Sequence, residues 1–153
     1  MLAMKRFGIP DCFIKVIRGI YSDREFVVRD AGSLSSKQPQ HFGICQGCPL
    51  SPFLFAVVMT ILMHDAKHNM TEHAAAKVTP SNLLVNELLY ADDTLIVDVD
   101  AARAEQFMHC IGRAGSMYGF FFNWRKLEIL SVRCEAKIAK PDGSYIAEKD
   151  RLV

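Results

Sequence analysis

The sequence predicts an α+β chain in which short antiparallel strands are backed by helices, and three observations predict it. Leu83-Leu84-Val85 with Leu88-Leu89, and Leu95-Ile96-Val97, flank an acidic junction at Asp92-Asp93, the pattern of a strand–turn–strand hairpin. Elsewhere apolar residues recur at helical spacing, as in Phe107, Ile111, Ala114 and Tyr118. The longest apolar run, residues 53–63, is broken only by Thr60; it falls short of the roughly 20 residues that span a bilayer and reads as a buried helix. A chain of 153 residues, half of them hydrophobic, buries one core, which implies one domain or a piece of one.

Taken in order, residues 1–9 read as the tail of a helix closed by Gly8 ahead of Pro10. Pro10-Asp11 opens a second helix to Tyr21, with Phe13, Ile14, Ile17 and Ile20 near helical spacing. Glu25-Phe26-Val27-Val28-Arg29 reads as one strand and Asp30-Ala31-Gly32-Ser33 as a turn, with pairing expected to residues near 40–44. Ser51 as N-cap and Pro52 as first helical residue start the apolar helix, expected to run to Lys67. Residues 68–81 are polar and alanine-rich, a connection to the acidic hairpin. Asp100 is placed to cap a helix over 101–118 that Gly119 ends. Phe120-Phe121-Phe122 and residues 127–132 read as two further strands around Asn123-Trp124-Arg125-Lys126, and Pro141-Asp142-Gly143-Ser144 as a hairpin-type turn.

The net charge of +1 hides an uneven distribution. Residues 1–40 carry seven Lys/Arg against four Asp/Glu, residues 41–123 four against eight, and residues 124–153 seven against five. Basic ends around an acidic centre suit a phosphate-bearing ligand draped over a metal-binding middle. Five cysteines, an odd number, without a secretory leader argue for reduced thiols in an intracellular protein, nuclear or cytoplasmic.

The acidic junction carries the chemistry. Neighbouring side chains of a straight strand point to opposite faces, and a tight turn lifts that restriction for Asp92 and Asp93. Two crowded carboxylates repel unless a cation neutralises them. Mg²⁺ suits the task, because it prefers oxygen ligands and bridges carboxylates to phosphates. Upstream, Gly43 and Gly47 bracket a loop aimed at the start of the apolar helix, where free N–H groups and the helix dipole suit a phosphate or nucleotide. Cys45-x₂-Cys48 followed by His64-x₃-His68 has zinc-finger spacing. The spacer, however, is almost wholly apolar, whereas a small finger needs a polar, solvent-facing helix. A zinc-binding module is therefore the least favoured reading.

Four segments in order resemble reverse transcriptases, closest to those of non-long-terminal-repeat retrotransposons. Gly43-Ile44-Cys45-Gln46-Gly47-Cys48-Pro49-Leu50-Ser51-Pro52-Phe53-Leu54-Phe55 resembles the family's Gln-Gly loop and following helix. Tyr90-Ala91-Asp92-Asp93 resembles its metal-binding hairpin, the YADD motif. Gly119-Phe120-Phe121-Phe122-Asn123 with Lys126 and Glu128 resembles a later block that ends in a lysine, and Arg6-Phe7-Gly8-Ile9-Pro10 the lead-in after the first catalytic aspartate. The resemblance implies a partial right-hand polymerase: over 1–153, the end of the fingers and most of the palm, with an antiparallel palm sheet. It implies that Asp92 and Asp93 ligate two Mg²⁺ ions, or Mn²⁺, for nucleotidyl transfer. Gln46 and Gly47 would line the incoming nucleotide and template, Tyr90 the primer end, and Lys126 the leaving pyrophosphate. The implied partners are an RNA template, a DNA primer and deoxynucleoside triphosphates, with no membrane. Departures are visible: Leu127 stands where the family usually has threonine, Cys45 where it carries a basic residue, and Phe122 and Trp124 are bulky for their block.

The family's third catalytic aspartate precedes the Phe-Gly-Ile-Pro segment, and the chain is expected to begin after it and to lack the thumb. Asp11, Asp23 and Asp30 all follow that landmark. Two carboxylates leave a pair of Mg²⁺ ions under-ligated, so the isolated chain is expected not to polymerise. The alternative is a non-catalytic palm remnant that binds nucleic acid or serves a structural role. Apolar surface left open by absent elements predicts poor solubility.

Overall fold

The computed structural model describes residues 1–41, 43, 44, 47–73 and 87–150. Cys45, Gln46 and the expected strand segment at 83–85 lie outside the described residues. The chain divides into two compact units, Met1–Ile61 and Leu62–Val153.

In the first unit α1 (Leu2–Phe7) and α2 (Asp11–Tyr21) meet through buried Ala3, Met4 and Ile14. Gly8, at φ 89°, closes α1 as the sequence predicts. Its N–H reaches the Lys5 carbonyl at 3.1 Å and the Ile9 N–H reaches Met4 at 3.0 Å, the paired bonds of a Schellman stop. Of the apolar positions on α2 only Ile14 is buried; Phe13, Val16 and Ile20 face solvent.

The expected strand at 25–29 is two strands, and its partners lie nearer in sequence than residues 40–44. β1 (Glu25–Phe26) pairs antiparallel with β4 (Gln38–Pro39), and β2 (Arg29–Asp30) with β3 (Ser33–Leu34). Ala31 and Gly32 both take positive φ, 44° and 84°, as a two-residue primed turn requires. That turn fixes the near pairing. The register then slips by one residue between the two ladders, so the returning strand carries one extra residue, a bulge that splits the strand. Arg24 stacks its guanidinium 4.5 Å above the Tyr21 ring and bonds Gln40, tying the arm to the end of α2.

The long helix α3 (Ser51–His73) runs past the expected Lys67 end. The Leu54 N–H bonds the Leu50 carbonyl at 3.1 Å, so Leu50 rather than Ser51 holds the capping position. Ser51 is buried, and its hydroxyl lies 3.0 Å from the Tyr21 hydroxyl. The helix is not buried throughout: Phe53 is exposed, and the buried apolar side chains begin at Ile61.

In the second unit Leu62, Met63 and Ala66 of α3 form a core with Phe107, Met108, Cys110, Ile111 and Ala114 of α4 (Ala101–Ser116) and with Ile146. β5 (Glu87–Tyr90) and β6 (Asp93–Ile96) form the acidic hairpin. Asp100 caps α4, accepting the Ala102 N–H at 2.9 Å and the Arg103 N–H at 3.4 Å. Past Ser116 the chain closes on Gly119 (φ 79°), with Phe120 N–H to Gly115 carbonyl at 3.0 Å and Gly119 N–H to Ser116 at 3.2 Å. Residues 120–122 are not a strand, because their groups are committed to α4. A Cβ on Gly112 would stand 3.2 Å from the Phe122 ring, and one on Gly115 would stand 3.2 Å from the Phe120 carbonyl. The expected strand over 127–132 shortens to β7 (Glu128–Ile129), which pairs in parallel with β8 (Ala147–Glu148). Residues 130–146 supply the long crossover that parallel pairing demands, and the turn at 141–144 forms within it, with Asp142 accepting from the Ser144 N–H at 2.9 Å.

The described strands thus make four separate two-stranded ladders, three antiparallel and one parallel, where one antiparallel sheet was expected. The α+β class stands.

Candidate active site

The hairpin register is Glu87 with Ile96, Leu88 with Leu95, Leu89 with Thr94 and Tyr90 with Asp93. Directly opposed residues share a face. Leu88, Tyr90, Asp93 and Leu95 therefore line one face, and Glu87, Leu89, Thr94 and Ile96 the other. The first face is open, with Tyr90 83 % exposed. The second is half-buried apart from Leu89. Ala91 and Asp92 make the turn, and Ala91 takes φ 51°. Asp92 thereby sits beyond the last rung while Asp93 occupies it, which answers the geometric question posed by their adjacency. Both are exposed, and neither carboxylate makes a hydrogen bond or ion pair with another described residue.

Two ion pairs hold the hairpin in place, and sequence reasoning found neither. At its base Glu87 pairs with Lys67 of α3. Beyond β6, Asp98 and Arg103 form a forked pair, with Arg103 Nε 2.7 Å from Asp98 Oδ2 and a second bond to Oδ1. Asp98 also accepts the Asp100 N–H at 2.9 Å. Burial alone raises the Asp98 pKa, but the Arg103 hydrogen bonds, the Asp100 N–H and the Arg103 charge together bring it below the usual carboxylate value. The same partnership raises Arg103, chiefly through its hydrogen bond to Asp98. Since Asp100 caps α4, the strand leaving the site is clamped to that helix within a few residues. The only sequence signal was an aspartate two residues before a capping aspartate.

Lys126 lies in its own turn, its N–H bonded to the Asn123 carbonyl at 2.9 Å and its side chain exposed. No hydrogen bond or ion pair joins it to Asp92 or Asp93. Gly47 belongs to the first unit, at φ 83° in the loop before α3. There the Leu50 N–H, and then the Tyr21 hydroxyl 3.8 Å away, lower the Cys48 thiol pKa. Of the sequence-predicted residues, the hairpin brings Tyr90, Asp92 and Asp93 together; Lys126 and Gly47 stand on other elements, and Gln46 is outside the described residues.

As donors, Asp92 and Asp93 fit a hard divalent cation. They are exposed oxygen ligands, free of cationic partners among the described residues, at the tip of a four-rung ladder. Among the described residues no group of three or more His, Cys, Asp or Glu side chains is placed to hold a metal. The pair therefore fits an open site completed by water and phosphate oxygens, the usual manner of Mg²⁺.

The family model for reverse transcriptase (RNA-dependent DNA polymerase) matches residues 2–146. The chain belongs to the reverse transcriptase family. No solved structure matches it. Membership carries the general requirements of that family, a nucleic-acid template and primer, nucleotide substrates and divalent metal, and brings the YADD hairpin, the Gly47 loop and the Lys126 turn of this reverse transcriptase chain within one matched region. Among its described residues no helix is long and apolar enough to cross a membrane.

Proposed function

We propose that the chain carries the YADD half of a two-metal nucleotidyl-transfer centre, from an RNA-directed DNA polymerase of the non-long-terminal-repeat retrotransposon type. The observation that carries this is the exposed Asp92-Asp93 pair at the tip of a hairpin inside a reverse transcriptase match. When bound, the metal pair supplies activation of the primer 3′-hydroxyl and stabilisation of the leaving pyrophosphate. Asp92, freed from the strand alternation by the turn, would hold both ions, preferably Mg²⁺, and Asp93 would support one. Tyr90, on the face it shares with Asp93, flanks the primer end. Lys126 offsets charge on the departing pyrophosphate. By the resemblance of their segment, Gln46 and Gly47 are assigned to the incoming nucleotide and RNA template. The retrotransposon assignment rests on the resemblance of these segments taken in order.

Two carboxylates under-ligate a metal pair, so Asp92 and Asp93 by themselves bind metal weakly, and the 153 residues assayed alone are expected to hold nucleic acid without extending a primer. The test is Mn²⁺ titration followed by electron paramagnetic resonance, alongside extension of an oligo(dT) primer on a poly(rA) template. The expected outcome is metal binding on the order of millimolar, abolished in the D92N/D93N double variant, with no incorporation. Metal binding that survives the double variant would remove the assignment of the pair. Template-dependent incorporation by the parent chain would remove the inactivity.

A further inference from the structure

Away from the hairpin, the flank of α4 carries a cleft of about 250 Å³ that the polymerase reading does not use. His109, Arg113 and Ser116 of α4 line one side, and Phe121, Phe122 and Trp124 the other. No carboxylate lines it. Phe122 forms the inner wall: its ring rests against Gly112 and meets Trp124 edge-on, centroids 5.4 Å apart at 70°. Phe121, next to it, is 80 % exposed. An exposed ring of this kind leaves a π-face open to a stacking partner. Arg113 is exposed, and among the described residues the one polar partner of its guanidinium is the Cys110 sulfur at 3.5 Å, a weak acceptor that leaves most of the guanidinium donors available. A longer groove of about 470 Å³, bordered by Ala102, Glu105 and Gln106, shares His109 and Arg113 with the cleft. Its single acid, Glu105, already accepts the Ala139 N–H at 2.7 Å. From Ala102 to Ser116 the combined track follows about 21 Å of helix.

We propose that this cleft is a second nucleic-acid contact, separate from the hairpin: it takes a single strand, with a base against Phe121 and Trp124 and a phosphate at Arg113 and His109. Aromatic faces beside cations are the pairing that holds unpaired strands, because every base offers a π-face and every linkage a negative charge. A duplex hides its base faces and meets only Arg113 and the His109 ring nitrogens. An apolar protein segment would gain nothing from the Arg113 guanidinium. The contact uses base faces and phosphates, so RNA and DNA single strands are both accepted.

Trp124 is the only tryptophan in the chain, which makes its fluorescence a local reporter. The full chain is titrated with twelve-residue oligouridylate, with oligothymidylate of the same length, and with a blunt duplex. Both single strands are expected to quench Trp124 saturably, and the duplex is not. F121A weakens binding roughly tenfold through loss of one stacked base. R113Q weakens it and lowers the log–log salt slope by roughly 0.7, one single-strand phosphate contact. Both side chains are exposed, so the variants keep the parent's circular dichroism. D92N/D93N quenches like the parent. The proposal is overturned by no quench, by equal quench from the duplex, by unchanged affinity in F121A and R113Q, or by loss of the quench in D92N/D93N, which would move the contact to the hairpin.

Discussion

Ala91 carries the conformational load of the hairpin. Its φ of 51° lies in the left-handed region, which a residue with a Cβ occupies at a penalty of about 1–2 kcal/mol. Replacing it with glycine removes that penalty but loosens the unfolded chain by about 0.4–1 kcal/mol. The first effect is larger, so Ala91→Gly should stabilise the chain by up to about 1 kcal/mol, read as a higher urea midpoint; a lower one would mean that the turn is unstrained. The Asp-Asp pair was legible because turn chemistry favours aspartate and adjacency in a turn permits convergence. The left-handed alanine was not, since turn preferences put Gly or Asn there. Nor was the Asp98–Arg103 fork, which exists only once the chain has turned into α4. Both its side chains are 8 % exposed. The pair lies just beneath the surface, so Asp98→Asn should cost about 1–3 kcal/mol, short of the range for a deeply buried pair. The folded Asp98 titrates below the ordinary value near 3.9. Its contribution is therefore complete above that value and lost as the pH falls through the lower folded one. Urea midpoints of parent and variant should differ most near pH 7 and draw together progressively below about pH 4; a constant gap would remove the ionised fork as the cause.

The helix α4 shows what an element contributes to the site and what can be read ahead of folding. Its cap, its Gly119 stop and its Phe107, Ile111 and Ala114 face were all readable, because each is a local rule acting within one or two turns. The strand expected at 127–132 formed in shortened form as β7, and the one expected at 120–122 was misread. Its composition is strand-like, but the Phe120 backbone is taken by the helix stop and the Phe122 ring by Gly112, and neither commitment is visible without α4 in place. In the first-unit arm the turn at 30–33 was legible and the pairing was misread: the chain pairs directly across Ala31-Gly32 rather than across the polar stretch that follows. The two glycines of α4 that face these residues separate packing from propensity. Alanine gains about 1 kcal/mol over glycine inside a helix. At Gly112 the added Cβ meets the ring edge of Phe122 at 3.2 Å, a side chain able to give way. At Gly115 it meets the Phe120 carbonyl at the same distance, on a backbone held by the stop. Gly112→Ala should thus be neutral or mildly stabilising, and Gly115→Ala should destabilise by about 1 kcal/mol. Thermal unfolding of the two variants decides it, and equal shifts would show that the 120 segment is not fixed to the helix.

For the whole chain, the balance is between a large exposed apolar surface and little charge to keep copies apart. Phe13 and Val16 of α2 are 60 % and 61 % exposed, and Ile20 joins them one turn on, so a stripe faces solvent along one side of that helix. Phe53 at the start of α3 is 70 % exposed. Contiguous apolar surface of this kind drives association, and a net charge of +1 supplies almost no opposing repulsion near neutral pH. The chain should therefore self-associate with rising concentration, seen as growth of the weight-average mass in light scattering. Two causes are separable. Association through complementary charges weakens as salt screens them, whereas association through apolar contact persists or strengthens, most in sulfate. The second is expected. The variant F13E/V16K keeps the net charge at +1 while breaking the α2 stripe with one charge of each sign. Its mass should stay near that of a single chain at concentrations where the parent has grown, with the same helical content by circular dichroism. Equal growth in the variant would shift the cause away from α2 to the apolar side chains at the start of α3 or on the hairpin's open face.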